Sequence, residues 1–197
     1  MTLYRKNPIV MILTAAAALT GMSLAGISMH HGPGVGGDAT IYLTTAENLA
    51  KGFGLVLFEP GGGTRLLPYF PPFYPLVLSF FAFLGLNLVQ TALWLNILLL
   101  GLLVILVGVV TFSTTQSARL AGLICFAVAL SPILMPVYSW AMSEPLAIWL
   151  GFLSLVVLWK YQLRKQGAAL LILAGILAGL SFLTRYSSVA FIITGVV

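Results

Sequence analysis

Charged residues are scarce in this chain of 197 residues: they make up 7% of its composition, against 60% for hydrophobic residues. Soluble domains usually carry about 25% charged residues. So few charges cannot cover an apolar interior of this size with a water-facing surface, which excludes an ordinary soluble protein. We therefore expect the chain to fold in a lipid bilayer.

Cysteine and the common catalytic motifs are also scarce or missing. The single cysteine, Cys125, lies inside an apolar run, so no disulfide can form within the chain. The sequence has no Ser-His-Asp arrangement, no HExxH or CxxC motif and no P-loop lysine. His30 and His31 are adjacent and would not face one metal from a regular helix, so no metal-binding residues are predicted. The net charge of +5 is not organised as a basic cluster with interleaved aromatics, and we expect no nucleic-acid partner.

What the sequence does have is long apolar runs. A membrane helix needs about 20 apolar residues to cross a hydrocarbon core of about 30 Å. Such runs occupy residues 8–29, 88–113, 119–137, 145–160 and 167–184, and a partial run covers 187–197. They predict an all-α, polytopic transmembrane helical bundle with at least five crossings, in a single transmembrane domain over residues 1–197. The short final run suggests the front part of a longer protein, and a signal peptide cleaved near Ala25 is the less favoured reading of the first run.

The loop between the first two runs, residues 30–87, carries two shorter helical patterns. Residues 39–51 place apolar side chains at helical spacing opposite polar ones, which predicts a helix lying in the membrane interface. Asp38 is expected to cap the start of this helix, and Gly52 to end it. Residues 73–85 follow three prolines and are about 13 residues long, which is too short to span and predicts a second interfacial or re-entrant helix.

The distribution of charge decides whether residues 73–85 cross the membrane. If they do not cross, most cations fall on one side and every acid on the other, in agreement with the positive-inside rule. The cations of the first side are Arg5, Lys6, Arg119, Lys160, Arg164 and Lys165, and the second side holds Asp38, Glu47, Glu59 and Glu144 with Lys51, Arg65 and Arg185. We therefore predict a multi-pass protein of the cell membrane, with a cytoplasmic amino terminus and an extracytoplasmic active site.

Asp38 is the first candidate for chemistry. It follows a glycine-rich stretch at the outer end of the first span, where its carboxylate remains close to water. A carboxylate in such a place can act as a general base when a substrate proton comes within hydrogen-bond reach. Helix capping by itself also explains an aspartate at this position, so both readings stay open.

Glu144 and Arg185 lie at the outer ends of two further spans. Glu144 suits the first turn of a helix, but it is also expected to share an outer cleft with Asp38, where two acids can bind a metal, a cationic group or a hydroxyl-bearing substrate. Arg185 runs against the positive-inside rule, so it either extends to the lipid headgroups or binds an anion such as a lipid phosphate. Lys51 and Arg65 are weaker candidates for the same substrate-binding role.

Four short motifs follow one another at the predicted outer face. They are Gly37-Asp38-Ala39-Thr40-Ile41-Tyr42-Leu43 with the following residues 46–52, Pro71-Pro72-Phe73-Tyr74-Pro75-Leu76, Ser143-Glu144-Pro145-Leu146, and Leu183-Thr184-Arg185-Tyr186. In this order they resemble the GT-C superfamily of integral-membrane glycosyltransferases. The closest likeness is to the protein O-mannosyltransferase-like branch, which includes aminoarabinose and lipopolysaccharide-core sugar transferases. The resemblance covers nearly the whole chain and the amino-terminal part of a family member.

The resemblance implies an enzyme that moves a sugar, with inversion, from a polyprenyl-phosphate carrier to an acceptor hydroxyl outside the cytoplasm. The acceptor would belong to a lipid, a glycan or a protein. Asp38 would be the catalytic base or position the acceptor, Glu144 would assist at the site, and Arg185 would stabilise charge on the leaving phosphate. The cofactor is unknown; some members use a divalent metal, and a metal stays possible here.

Two other functions fit a polytopic protein: a membrane carrier or flippase, and an inactive scaffold subunit. Transporters tend to place charged residues or broken helices near the bilayer midplane. In this sequence no acid or base falls in the middle of a predicted span, and the long outer loop gathers the polar groups. This distribution favours the enzyme over the carrier and leaves the scaffold open.

Overall fold

The protein is described here from a computed structural model that covers residues 4, 7–58, 63–66, 69–164 and 167–196. Over these residues it is mostly helical, with one short antiparallel hairpin of strands β1 (Val56–Phe58) and β2 (Thr64–Leu66). The helices are α1 (Pro8–Ser28), α2 (Gly37–Ala50), α3 (Phe73–Phe83), α4 (Leu88–Thr115), α5 (Ala118–Ala129), α6 (Leu134–Ser139), α7 (Glu144–Arg164), α8 (Ala168–Thr184) and α9 (Val189–Val196). A 3-10 turn, Tyr186–Ser188, precedes α9. The predicted all-α class is therefore confirmed.

Three of the described helices are long and apolar enough to cross a membrane. They are α1, α4 and the Glu144–Leu163 portion of α7. The other apolar helices, among them α3, α5 and α8, have 10–17 residues each. These lengths and compositions are those of a membrane protein, while the count of five crossings and the orientation stay predictions from the sequence.

The predicted span 119–137 is not one continuous helix. α5 ends at Ala129, residues 130–133 form a turn, and the six-residue α6 follows. Pro132 lies in this turn, and proline both lacks a backbone N–H and disfavours the helical conformation of the residue before it. The 12 residues of α5 reach only about 18 Å, so this run needs the segment after the turn as well to cover a bilayer.

Helices α1, α4 and α5 pack closely because small residues lie at their contacts. A Cβ added to Gly21 of α1 would lie 3.2 Å from the Cβ of Ala129, and a Cβ added to Gly108 of α4 would overlap Thr14 of α1. Lipid tails are as apolar as the side chains, so membrane helices associate largely through such close packing. The contacts hold α1, α4 and α5 together and thereby fix the loops that leave them.

The loop of residues 30–87 contains the two short helices expected there, α2 and α3. The N-cap of α2 is Gly36, so Asp38 lies in the first helical turn and the prediction that it caps the helix is wrong. The helix begins before residue 39 because the carbonyl of Gly36, whose backbone is extended, already accepts the first hydrogen bond of the helix. No side-chain cap is needed there. α2 and α3 pack through the rings of Tyr42 and Tyr74, whose centroids lie 5.2 Å apart in an edge-to-face arrangement.

Candidate functional site

The loop after α1 is bound to the loop before α7 by backbone hydrogen bonds. The N–H of Gly34 donates to the carbonyl of Ser139 at 2.7 Å, and the N–H of Ala141 donates to the carbonyl of Gly34 at 2.9 Å. The ring of Trp140 lies against the glycines, and a Cβ added to Gly34 or Gly36 would lie 2.7 or 2.8 Å from it. The two loops that lead to the predicted acids are therefore held together at one end of the helices.

Helices α1 and α4 anchor the same loop. Asn96 of α4 is fully buried, and its Nδ2 donates to the carbonyls of Tyr138 at 3.2 Å and Trp140 at 2.6 Å. The hydroxyls of Ser28 and Ser139 lie 3.0 Å apart and form a hydrogen bond. The loop before α7 thus has fixed partners on three sides, which determines where α7 begins.

Tyr42 lies where the predicted charged residues meet. Its side chain is buried, and the Oγ of Ser143 donates a hydrogen bond to its Oη at 3.2 Å. Burial raises the pKa of the Tyr42 phenol; Ser143 and the positive charge of Arg185 oppose this, and the carboxylates of Glu144 and Asp38 add to it. Three charged residues from distant parts of the chain therefore act on one phenol.

Glu144 and Arg185 form an ion pair, with the Oε1 of the glutamate 2.9 Å from the Nη1 of the arginine. Glu144 is the first residue of α7, and Arg185 directly follows α8. The side chains are 24% and 37% exposed, so water screens the pair only in part. A cavity of about 230 Å³ borders the pair and is also lined by Ser187, Ser188 and Phe191.

Tyr74 of α3 completes the group. Its side chain is fully buried, and its ring packs edge to face on Tyr42. Burial raises the pKa of its phenol, and the nearby Glu144 and Tyr42 raise it further. Within the described part of the chain, neither the Tyr74 hydroxyl nor the Oε2 of Glu144 has a hydrogen-bond partner. Asp38, Tyr42, Tyr74, Glu144 and Arg185 are called the site cluster below.

The other two predicted binding residues lie outside the site cluster. Lys51, at the end of α2, forms an exposed ion pair with Glu47 at 2.6 Å. It follows Asp38 by 13 positions in the sequence, a distance of about 20 Å along the helix. Arg65 is exposed on strand β2 and lies over the ring of Tyr69, 5.7 Å from its centroid. The structure therefore pairs Glu144 with Arg185 and places Asp38 one helical turn before Tyr42, and it leaves Lys51 and Arg65 elsewhere.

Across the described residues, no three His, Cys, Asp or Glu side chains come together as a cluster that could hold a metal ion. The rings of His30 and His31 lie against each other, 3.7 Å between centroids, and one oxygen of Glu144 is engaged by the arginine.

Tyr42, Ser143 and Tyr74 were not predicted as site residues. Tyr42 follows Asp38 by four residues, a spacing that places both on one face of a helix. This spacing is the feature from which the sequence alone could have predicted Tyr42 as a neighbour of Asp38. Tyr74 belongs to the second of the four motifs, but its contact with Tyr42 depends on the packing of α2 against α3, which the local sequence does not indicate.

No family model matches the chain, and no curated protein or solved structure is significantly similar to it. The GT-C resemblance therefore stays a prediction from the sequence motifs. Each of the four motifs nevertheless contributes to the site cluster: the first supplies Asp38 and Tyr42, the second Tyr74, the third Glu144 and the fourth Arg185.

Proposed function

We propose that the protein is a membrane glycosyltransferase, or the amino-terminal part of one, that uses a polyprenyl-phosphate sugar as donor. The acceptor is a hydroxyl group on a lipid, glycan or protein at the extracytoplasmic face. The main support is that residues of the four motifs contact one another: Tyr42 packs on Tyr74 and accepts a hydrogen bond from Ser143, and the next residue, Glu144, pairs with Arg185. Each motif is weakly specific, and a chance resemblance gives no reason for residues from all four to meet.

Asp38 is the general base in this proposal. It is exposed, so a substrate can reach it, and it lies in the first turn of α2. The acceptor hydroxyl gives its proton to this carboxylate while its oxygen bonds to the anomeric carbon. The bond from that carbon to the phosphate oxygen breaks at the same time, and its electron pair leaves with the phosphate. Attack from the face opposite the phosphate inverts the anomeric centre.

Arg185 stabilises the negative charge that develops on the leaving phosphate. The ion pair with Glu144 holds one end of the guanidinium at a fixed position beside the cavity. A guanidinium has five N–H donors, so those not directed at the glutamate can bind phosphate oxygens. Glu144 thus acts first as the group that orients Arg185.

The test is sugar transfer by the purified protein, expressed from its complete reading frame and reconstituted in lipid. Labelled polyprenyl-phosphate sugars are supplied together with membrane lipid and glycan acceptors. Asp38→Asn should lower the transfer rate by about 100-fold or more, because a general base contributes at least that much. Glu47→Gln removes the same charge from an exposed position of the same helix and should leave transfer unchanged.

Circular dichroism and thermal unfolding confirm that each variant is folded. Wild-type transfer by folded Asp38→Asn protein would remove the proposed base. Movement of labelled carrier across the vesicle membrane without sugar transfer would support the flippase function over the enzyme. If the folded wild-type protein shows neither activity, the scaffold is the function that remains.

A further inference from the structure

A cavity of about 570 Å³ lies between the end of α2 and the turn that joins α3 to α4. Its lining includes Glu47 and Lys51, which form an ion pair at 2.6 Å, together with Thr44 and Asn87. The contact joins one carboxylate oxygen to the ammonium group, so the second oxygen and further N–H donors can bind a ligand. The cavity therefore presents one full charge of each sign, side by side.

A second cavity, of about 340 Å³, lies next to the first along α4. The two are adjacent because Leu86 and Asn87 line both of them. The second cavity is mostly apolar, and its lining includes the exposed side chains of Trp94 and Leu98. These residues lie about 10 and 16 Å beyond Asn87 along the helix axis. The two cavities together are called the α4 groove below, and it runs from a charged end to an apolar end.

The order of groups along the α4 groove matches the order of groups in a phospholipid. After the charged pair come the amides of Asn87 and Gln90, and then Trp94 and Leu98. A phospholipid has a charged headgroup, then ester carbonyls that accept hydrogen bonds, and then acyl chains. The oxygen of Asn87 accepts from the backbone N–H of Gln90 at 3.0 Å, which leaves the N–H groups of the Asn87 amide for an ester. Tryptophan is typical of the membrane interface, where the ester and acyl regions meet.

The charged end of the groove distinguishes among phospholipids. Glu47 and Lys51 together carry no net charge, so an anionic headgroup would bring its phosphate close to a carboxylate without compensation. A phosphoethanolamine headgroup has a phosphate for Lys51 and an ammonium group for Glu47. Residues four apart on a helix lie about 5–6 Å from each other, a spacing comparable with the two-carbon link between this phosphate and ammonium. Hydrogen bonds between ionised groups are also stronger than those between neutral ones.

We propose that the α4 groove binds one phospholipid with a phosphoethanolamine headgroup. Its phosphate binds Lys51, its ammonium group binds Glu47, and one acyl chain lies along Trp94 and Leu98. The bound lipid joins the end of α2 to the start of α4. No residue of the groove belongs to the site cluster, so this proposal does not depend on sugar transfer.

Native mass spectrometry of the purified protein in detergent tests the choice of headgroup. The protein is titrated with dioleoyl phosphatidylethanolamine and, separately, with dioleoyl phosphatidylglycerol, which has the same chains and a phosphate but no ammonium group. Half-saturation with phosphatidylethanolamine should need about tenfold less lipid, because a hydrogen bond between charged groups is missing with phosphatidylglycerol. Glycerophosphoethanolamine, the same headgroup without chains, should not displace the bound lipid.

Three exposed substitutions assign the two charges. Glu47→Gln leaves the positive charge of Lys51 in the groove and should abolish or reverse the preference for phosphatidylethanolamine. Lys51→Gln should weaken the binding of both lipids about tenfold, because both contain the phosphate. Arg65→Gln removes another exposed cation, one that lies over Tyr69 and does not line the groove, and should change neither affinity.

A phosphatidylethanolamine with a photoreactive diazirine in its acyl chain locates the bound lipid. Cross-links should fall on residues 90–98 and should be lost when unlabelled phosphatidylethanolamine is added. Polyprenyl phosphate at the same concentration should not remove them, because it has no ammonium group; if it does, the groove binds the carrier and the proposal is wrong.

Three further results would overturn the proposal. They are equal affinities of the wild type for the two lipids, an unchanged preference in Glu47→Gln, and equal losses of affinity in Lys51→Gln and Arg65→Gln. The first of these is measured on the wild-type protein, so the test does not depend on the folding of any variant.

Discussion

At the scale of single residues, the Glu144–Arg185 pair differs from the Glu47–Lys51 pair in its surroundings. Its side chains are 24% and 37% exposed, whereas those of Glu47 and Lys51 are 55% and 57% exposed. Exposed ion pairs add little to stability, since water screens the charges and the side chains lose entropy. Removal of one partner from a less exposed pair leaves the other charge poorly solvated.

Glu144→Gln should therefore lower the free energy of unfolding by about 1–3 kcal/mol, which lies between the values for exposed and buried pairs. Glu47→Gln, the matched change at the exposed pair, should cost less than about 0.5 kcal/mol. Denaturant or thermal unfolding in detergent measures both. A double-mutant cycle with Arg185→Gln shows how much of the stability lost in Glu144→Gln comes from the ion pair. Equal losses of stability in Glu144→Gln and Glu47→Gln would contradict the prediction.

The sequence indicates the charged residues of the site because charge is rare in an apolar chain. Asp38, Glu144 and Arg185 are each conspicuous for that reason, and all three belong to the site cluster. Lys51 and Arg65 are as conspicuous in sequence, but their contacts are with Glu47 and Tyr69. Rarity identifies candidates, and only three-dimensional packing separates the residues that meet from those that do not.

At the scale of secondary-structure elements, Gly34 and Trp140 form the contact between the loop after α1 and the loop before α7. The backbone of the two loops pairs at this point, and the indole ring occupies the space in which a side chain of residue 34 would lie. Gly37, three residues further on, has nothing within 4 Å of an added Cβ. The two glycines therefore offer a sharp comparison within one loop.

Gly34→Ala should destabilise the protein by about 1–3 kcal/mol, as overpacking usually does, and should lower sugar transfer by separating the loops. Gly37→Ala should be neutral or slightly stabilising, because alanine is preferred to glycine within a helix by about 0.5–1 kcal/mol. The Tm and the transfer rate of each variant are the measurements. If Gly34→Ala were as stable and as active as Gly37→Ala, the contact would have no role in holding the site.

The length of an apolar run predicts that a helix exists better than it predicts where the helix breaks. The helices α1, α4, α7 and α8 lie within a few residues of the predicted runs. The run 119–137 keeps its apolar character through Pro132, so hydrophobicity alone does not reveal the turn between α5 and α6. The early start of α2 has a similar origin, since a glycine cap leaves no side-chain signal in the sequence.

At the scale of the whole molecule, the site cluster lies at one end of the long helices. Asn96 binds the loop before α7, and Gln116 ends α4 on the far side. Twenty residues of helix between them span about 30 Å, the thickness of the hydrocarbon core. The structure thus separates two polar ends by one membrane thickness, and the charge distribution predicts which end faces outward.

Single cysteines test this orientation in a Cys125→Ala background. Cysteines at the exposed positions Val35 and Ser187 should react in intact cells with a maleimide that cannot cross membranes. A cysteine at exposed Gln116 should react only after the membrane is permeabilised. Labelling of Val35 and Ser187 from opposite compartments would contradict a shared outer site and, with it, the proposed function.

The long separation between the parts of the site along the chain sets an order of events during synthesis. Asp38 leaves the ribosome about 150 residues before Arg185, which at 5–20 residues per second is an interval of roughly 7–30 s. Until Arg185 has been made, Glu144 lacks the partner of its ion pair and the cavity beside the pair is incomplete. Any activity that depends on this pair, such as the proposed sugar transfer, therefore begins only when synthesis has passed α8.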